Sequence, residues 1–192
     1  MEQIRSFIAI ELPDELKQKL VQLEVRLKAE GQSGVKWVNP NSMHLTLKFL
    51  GNITADKTSE INAAVKESAQ GISPFRLKVE GVGAFPNLRR VQVVWVGLSG
   101  EVEKLGSLQQ QLEKNLEPLG FPAEKRTFTP HLTLARVNNR VSPDDRQKLG
   151  KLIAETSFEA GVLEVNAVNL MKSQLTRQGA IYSRISSVRL KS

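Results

Sequence analysis

Residues 43–51 read Met43-His44-Leu45-Thr46-Leu47-Lys48-Phe49-Leu50-Gly51, and residues 128–137 read Phe128-Thr129-Pro130-His131-Leu132-Thr133-Leu134-Ala135-Arg136-Val137. Both contain His-Leu-Thr-Leu, and these are the only two histidines in a chain of 192 residues. At ordinary amino-acid frequencies a given His is followed by Leu-Thr-Leu roughly once in two thousand cases. One strand histidine alone reads as a packing residue; the repeat points to a shared site. Side chains in a strand alternate faces. His44, Thr46 and Lys48 then share one face and Leu45, Leu47 and Phe49 the other. In the second copy His131, Thr133 and Ala135 lie opposite Leu132 and Leu134. The leucines anchor each strand in a core and leave imidazole and hydroxyl pointing the other way together. Two such strands facing one another would line a single cavity with two histidines and two threonines.

The surrounding sequence supplies the frame. IRSFIAIEL (4–12) is apolar and β-branched and reads as a buried strand. A helix starts at Pro13-Asp14, with Leu16, Leu20, Leu23 and Leu27 on one face, and ends at Gly31 and Gly34. A short strand at 35–38 and the NPNS turn (39–42) lead into the first motif, and a helix follows over about 55–70. Segments 75–85 and 91–98 read as a hairpin. Residues 101–119 carry a leucine stripe on a helix that Pro118 disturbs near its end. Segment 128–137 is a strand, and Ser142-Pro143-Asp144-Asp145 starts a helix with Ser as N-cap. Segments 162–173 and 180–190 read as a final strand pair. Mixed helices and hairpin-linked strands favour an α+β fold with largely antiparallel sheets over a doubly wound parallel one. No linker or composition shift divides the chain, so residues 1–192 read as one domain of two similar lobes.

Composition narrows the chemistry. With 40% hydrophobic residues the chain falls in the globular range. It has no cysteine, which excludes disulfides, thiolate chemistry and sulfur-bound metals. The N-terminal apolar run is too short for a signal peptide and no stretch approaches the ~20 apolar residues of a membrane helix. A cytoplasmic monomer away from membranes is the expectation. The net charge of +7 is concentrated. Residues 171–192 hold Lys172, Arg177, Arg184, Arg189 and Lys191 and no acid, and 121–140 hold Lys125, Arg126, Arg136 and Arg140 against Glu124. Such stretches attract polyanions, although a solvated basic surface reads the same way.

Two imidazoles suit proton transfer in both directions, because they titrate near neutrality. Displacement at phosphorus with an alkoxide leaving group needs a base for the attacking oxygen and an acid for the departing one, each typically worth ~10²–10⁴-fold. A threonine two residues after each His would donate to the non-bridging oxygens. A zinc site wants three or four ligands, which this pattern does not supply. No G-x-S-x-G nucleophile elbow is present, nor any glycine-rich phosphate loop. The expectation is therefore a site without metal or cofactor.

The two H-x-T-x motifs, in strands of a basic chain of this size, resemble those of the two-histidine (2H) phosphoesterases. Within them the chain resembles the RNA 2′,3′-cyclic phosphodiesterases, also called LigT-like or ThpR-like 2′-5′ RNA ligases. The resemblance runs through RSFIAIELP (5–13), KWVNPNSMHLTLKFLG (36–51), RTFTPHLTLARV (126–137) and LMKSQLTRQGAIYSRI (170–185). It implies a bilobal α+β fold, with two mostly antiparallel sheets facing across a central cleft and helices outside. It also implies hydrolysis of a terminal 2′,3′-cyclic phosphate, on RNA ends or nucleotides, to a 2′-phosphomonoester. His44 would protonate the leaving 3′ oxygen, His131 would activate water, and Thr46 and Thr133 would hold the phosphate. Arg136 matches the family's arginine after the second motif, yet alternation sets it opposite His131; either the strand bends there or Arg136 works from the rim. Lys48 reads as a cleft contact or as a solvated lysine. Arg126 and Tyr182 read as grips for phosphate or base, or as surface charge and core packing. Two further readings stand beside hydrolysis: the same site run in reverse as a 2′-5′ RNA ligase, and a nucleotide- or RNA-binding module without turnover.

Overall fold

The computed structural model describes residues 2–192. Along the chain run β1 (Gln3–Glu11), α1 (Asp14–Lys28), β2 (Val35–Trp37), β3 (His44–Thr54), α2 (Lys57–Ser68), β4 (Phe75–Phe85), β5 (Val93–Gly100), α3 (Val102–Leu116), β6 (His131–Val137), α4 (Pro143–Glu155), β7 (Glu159–Val165), β8 (Ala167–Thr176) and β9 (Gly179–Arg189). They form two antiparallel sheets, A in the order β3-β1-β8-β9 and B in the order β2-β6-β5-β4-β7. The α+β reading holds. The sheets face one another, and β3 of A touches β6 of B.

The helices form where apolar spacing and caps coincide. Leu16, Leu20, Leu23 and Leu27 of α1 are buried as their spacing predicts. The Ser142 hydroxyl accepts from the Asp145 N–H at 3.2 Å, with Pro143 in the first turn, so α4 starts where the sequence placed it. Helix α3 stops at Leu116, and Pro118 falls in a following 3₁₀ turn that ends at left-handed Gly120.

Each sheet takes strands from both ends of the chain. Sheet A joins β1 and β3 to the C-terminal β8 and β9, while sheet B holds β2 and β4 from the first half. The helices cross over as well: α1 leaves sheet A and packs on β7 of B, and α3 leaves sheet B and packs on β3 of A. The segment 162–173, expected as one strand, is in fact two. Its first residues close β7 in sheet B, the chain turns at Asn166, and β8 begins in sheet A. Apolar alternation runs through Asn166 without a glycine or proline, which hides the change of sheet.

The main core lies on the faces of both sheets that carry the motif leucines, Leu45, Leu47, Leu132 and Leu134, all buried. Burying each such side chain contributes about 1.5–3 kcal/mol. A smaller cluster of Phe7, Ala9 and Met171 with Tyr182 covers part of the opposite face of sheet A. That is the face on which His44 lies.

Candidate active site

The two motifs occupy equivalent registers. In sheet A, Glu11 pairs with His44, Ala9 with Thr46, Ile8 with Lys48 and Phe7 with Phe49. In sheet B, Gly97 pairs with His131, Trp95 with Thr133, Val94 with Ala135 and Val93 with Arg136. Within the motif both ladders skip a residue, Leu47 in one and Leu134 in the other, and the first ladder skips Leu50 as well. Each strand therefore carries a β-bulge at the same place, the fourth residue of the motif. A bulge puts two consecutive residues on the same side and reverses the alternation beyond it.

That reversal corrects three expectations. Lys48 does not face the cleft. It is 3% exposed on the core side, where its Nζ donates to Glu113 Oε2 at 2.5 Å and to the Pro122 carbonyl at 2.9 Å. Phe49, expected among the leucines, is instead 65% exposed and lies tilted against Phe7. In the second copy Ala135 is buried with the leucines, and Arg136 turns to the exposed side that His131 and Thr133 occupy. The strand does bend, so Arg136 needs no rim position.

Both imidazoles are held by the same local bond. His44 Nδ1 lies 2.8 Å from the Ser42 carbonyl and His131 Nδ1 lies 2.6 Å from the Thr129 carbonyl, each two residues upstream. A carbonyl only accepts, so Nδ1 carries the hydrogen in each ring and Nε2 is left to exchange a proton. The upstream turns differ: a 3₁₀ turn at Pro40–Ser42 precedes His44, whereas Thr129-Pro130 precedes His131. Among the described residues neither Thr46 nor Thr133 spends its hydroxyl on a protein partner, so both can donate to a ligand.

The rings are also fixed by aromatic neighbours. Phe7 stacks on His44 at 4.5 Å, and Tyr182 meets it edge-on at 4.9 Å. Phe85 meets His131 edge-on at 4.9 Å and lies 5.4 Å from Trp95. Trp95 packs so closely over Gly83 that a Cβ there would fall 2.3 Å from its ring. Tyr182 is thus brought to the first histidine rather than lost in the main core. Arg126 is exposed between α3 and β6, and no hydrogen bond or ion pair among the described residues ties it to the site. Phe7, Phe85 and Glu11 were missed by sequence reasoning. Their signal was register: Phe7 and Glu11 lie on the strand that pairs with β3, and Phe85 lies one strand beyond the partner of β6, and registers are not visible in a lone sequence.

Burial pushes the His44 imidazole below its ordinary range, an effect partly offset by the Ser42 carbonyl and the Glu11 carboxylate. Two concavities of about 420 and 560 Å³ lie elsewhere, around Lys19, Arg26 and Phe158 and around Gly81, Ile153 and Phe158, and neither includes a histidine. Chemistry outweighs their size, since neither gathers a proton-transfer pair.

Comparison with known proteins shows the family and the fold. The family model described as LigT like Phosphoesterase matches the chain twice, over residues 10–95 and 96–182, one match per motif. A Methanothermobacter thermautotrophicus protein named RNA 2′,3′-cyclic phosphodiesterase is 36% identical over 97% of this chain and 99% of its own. An Aquifex aeolicus protein of the same name is 33% identical over 95% of each chain. Among solved structures, a Thermus thermophilus protein superposes with a TM-score of 0.78 at 27% identity, over 97% of this chain and 98% of its own. E. coli LigT complexed with 3′-AMP superposes at 0.77 and 24% identity over the whole of both chains, a likeness of fold. Two motif strands in matched registers, each with its own match to one family model, place this chain in the LigT-like phosphoesterase family.

Proposed function

We propose that this protein hydrolyses RNA or nucleoside 2′,3′-cyclic phosphates to 2′-phosphomonoesters, without a metal ion, by paired histidine acid–base catalysis. The observation that carries the reading is the duplicated geometry: two imidazoles with Nδ1 bound to a carbonyl and Nε2 free, each two residues before an unengaged threonine hydroxyl. In the reaction, His131 Nε2 takes a proton from water as the water oxygen bonds to phosphorus. The bond from phosphorus to the 3′ oxygen breaks, and His44 Nε2–H gives that oxygen its proton. Exchange with solvent returns both rings to their starting states. Thr46 and Thr133 donate to the non-bridging oxygens, and Arg136 adds positive charge on the same side.

The names of the relatives support the substrate class. Among the described residues no three His, Asp or Glu side chains converge as metal ligands, which favours the metal-free route. No helix is long and apolar enough to cross a membrane. We take the whole chain as the working unit, since each sheet draws on both halves. The test is incubation with a nucleoside 2′,3′-cyclic phosphate after dialysis against EDTA. The expected product is the 2′-monophosphate at an undiminished rate. Turnover that needs an added divalent ion, or a 3′-monophosphate product, would sink the reading. Ligation or binding alone would leave the cyclic phosphate unhydrolysed.

A further inference from the structure

The equivalent registers of the two motifs expose one difference in charge. The residue paired across the strands with His44 is Glu11, and the residue in that place beside His131 is Gly97. Directly paired residues share a face and sit close enough for charges to interact. Glu11 is held in place: its Oε2 accepts from Asn169 Nδ2 at 2.6 Å and from Arg184 Nε at 2.8 Å. Asn169 is buried, so it orients the carboxylate without adding charge. At Gly97 there is no side chain, and a Cβ would lie 2.9 Å from the Glu80 carbonyl oxygen. Glu80 itself is one strand farther from His131 and accepts from the Ser99 hydroxyl.

We infer that Glu11 is a positioning residue that counters the desolvation of His44, a support absent beside His131, and so helps His44 hold the proton that the acid's part requires. The inference rests on the proposed acid–base reading of the pair. The groups facing His44 from the elements around it are few. Glu11 comes from β1, Tyr182 and Arg184 from β9, and Lys17 from α1, with its Nζ 3.3 Å from the Asn41 carbonyl. Of these only Glu11 is anionic. Burial drives His44 towards its neutral form and Lys17 adds to that, while the Ser42 carbonyl and Glu11 act the other way. Without Glu11, a desolvated His44 would be a poor proton donor at neutral pH. The equivalent device is missing on the other strand, where a base must start neutral.

Because the chain has two histidines, both can be followed by NMR titration of their ring signals in the intact protein. Glu11→Gln keeps the hydrogen-bonding shape and removes the charge. His44 should then titrate at a lower pH than in the wild type, and Glu11→Asp should restore it. On a nucleoside 2′,3′-cyclic phosphate, Glu11→Gln should lose roughly tenfold in kcat at neutral pH, part of the ~10²–10⁴ that a proton-transfer group supplies. KM should hold, and the alkaline limb of the pH profile should move to lower pH. A His44 titration unchanged in Glu11→Gln would overturn the inference. A second reading needs no variant: in the wild type the Glu11 side-chain carboxyl ¹³C shift should inflect where His44 titrates, because coupled sites report one another. Its absence would overturn the inference equally. A wild type that never turns over cyclic phosphate overturns the hydrolytic reading instead, while the NMR shifts report the Glu11–His44 link on its own.

Discussion

The strand of His44 and the strand of His131 are the same piece of backbone set in different surroundings. They share four motif residues, a bulge at the fourth, and a carbonyl two residues upstream that takes Nδ1. Their neighbours differ. Around His44 are a stacked Phe7, an edge-on Tyr182 and the Glu11 carboxylate; around His131 are Phe85, Trp95 and a bare glycine. Past the bulge one strand buries a lysine and exposes a phenylalanine, and the other buries an alanine and exposes an arginine. The difference teaches that a duplicated backbone can fix where two identical groups stand, while neighbours decide what each one does.

The largest effects should come from removing that shared feature. His44→Ala and His131→Ala should each lose about 10²–10⁴-fold in kcat on a cyclic nucleotide, and the double variant little more, since the two act as a unit. An activated phosphodiester with a better leaving group sharpens the contrast. It should rescue His44→Ala more than His131→Ala, because water must still be activated; equal rescue would mean the two roles are wrongly assigned.

Next come the residues past the bulge. Lys48→Ala leaves the half-buried Glu113 without its cation, though Gln109 still donates to it, and should cost about 1–3 kcal/mol in urea unfolding. Arg136→Ala, at the position beyond its own bulge, should leave unfolding within about 0.5 kcal/mol, because the side chain is exposed. Comparable stability losses in both would break the distinction between an inward and an outward residue. Thr46→Ala and Thr133→Ala should each lower kcat by about 10²-fold, as one anion donor is lost, with folding intact.

The smallest effect is in stability against pH. His44 in the folded protein binds its proton less readily than in the unfolded chain, whose imidazole titrates near 6.5. Above that pH neither state carries the proton and the full stability is present. As pH falls from about 6.5 through the lower folded value, the unfolded chain protonates first and stability is lost. Urea midpoints between pH 8 and 5 should fall less in His44→Gln than in the wild type. An identical fall in both would show that burial of His44 carries no such linkage.

Much of this was legible in the letters. The repeated tetrapeptide names the strands, the leucines name the inward face, and cap and stripe residues place α1, α3 and α4. The bulges were not, because the alternation rule assumes an unbroken pleat. The second copy held a clue, since Leu134-Ala135-Arg136-Val137 sets two apolar residues side by side before alternation resumes. In the first copy the inward residue is Lys48, which masks the pattern, and its partner Glu113 is 65 positions away on α3. The functional surroundings were hidden for the same reason: Glu11 and Arg184 meet across 173 positions, a distance no local pattern spans.

The crossing of strands between the sheets bears on how such a molecule can be taken apart. If the chain were cut in the loop between β4 and β5, the first piece would hold the His44 strand beside β1 but lack β8 and β9. The second would hold the His131 strand beside β5 but lack β2 and β4. Each piece would bare a row of backbone amides and carbonyls that only the other can cover. The two histidines belong to halves that each match one family model, yet the halves are interlaced like clasped hands, and neither carries a finished sheet on which to hold its own.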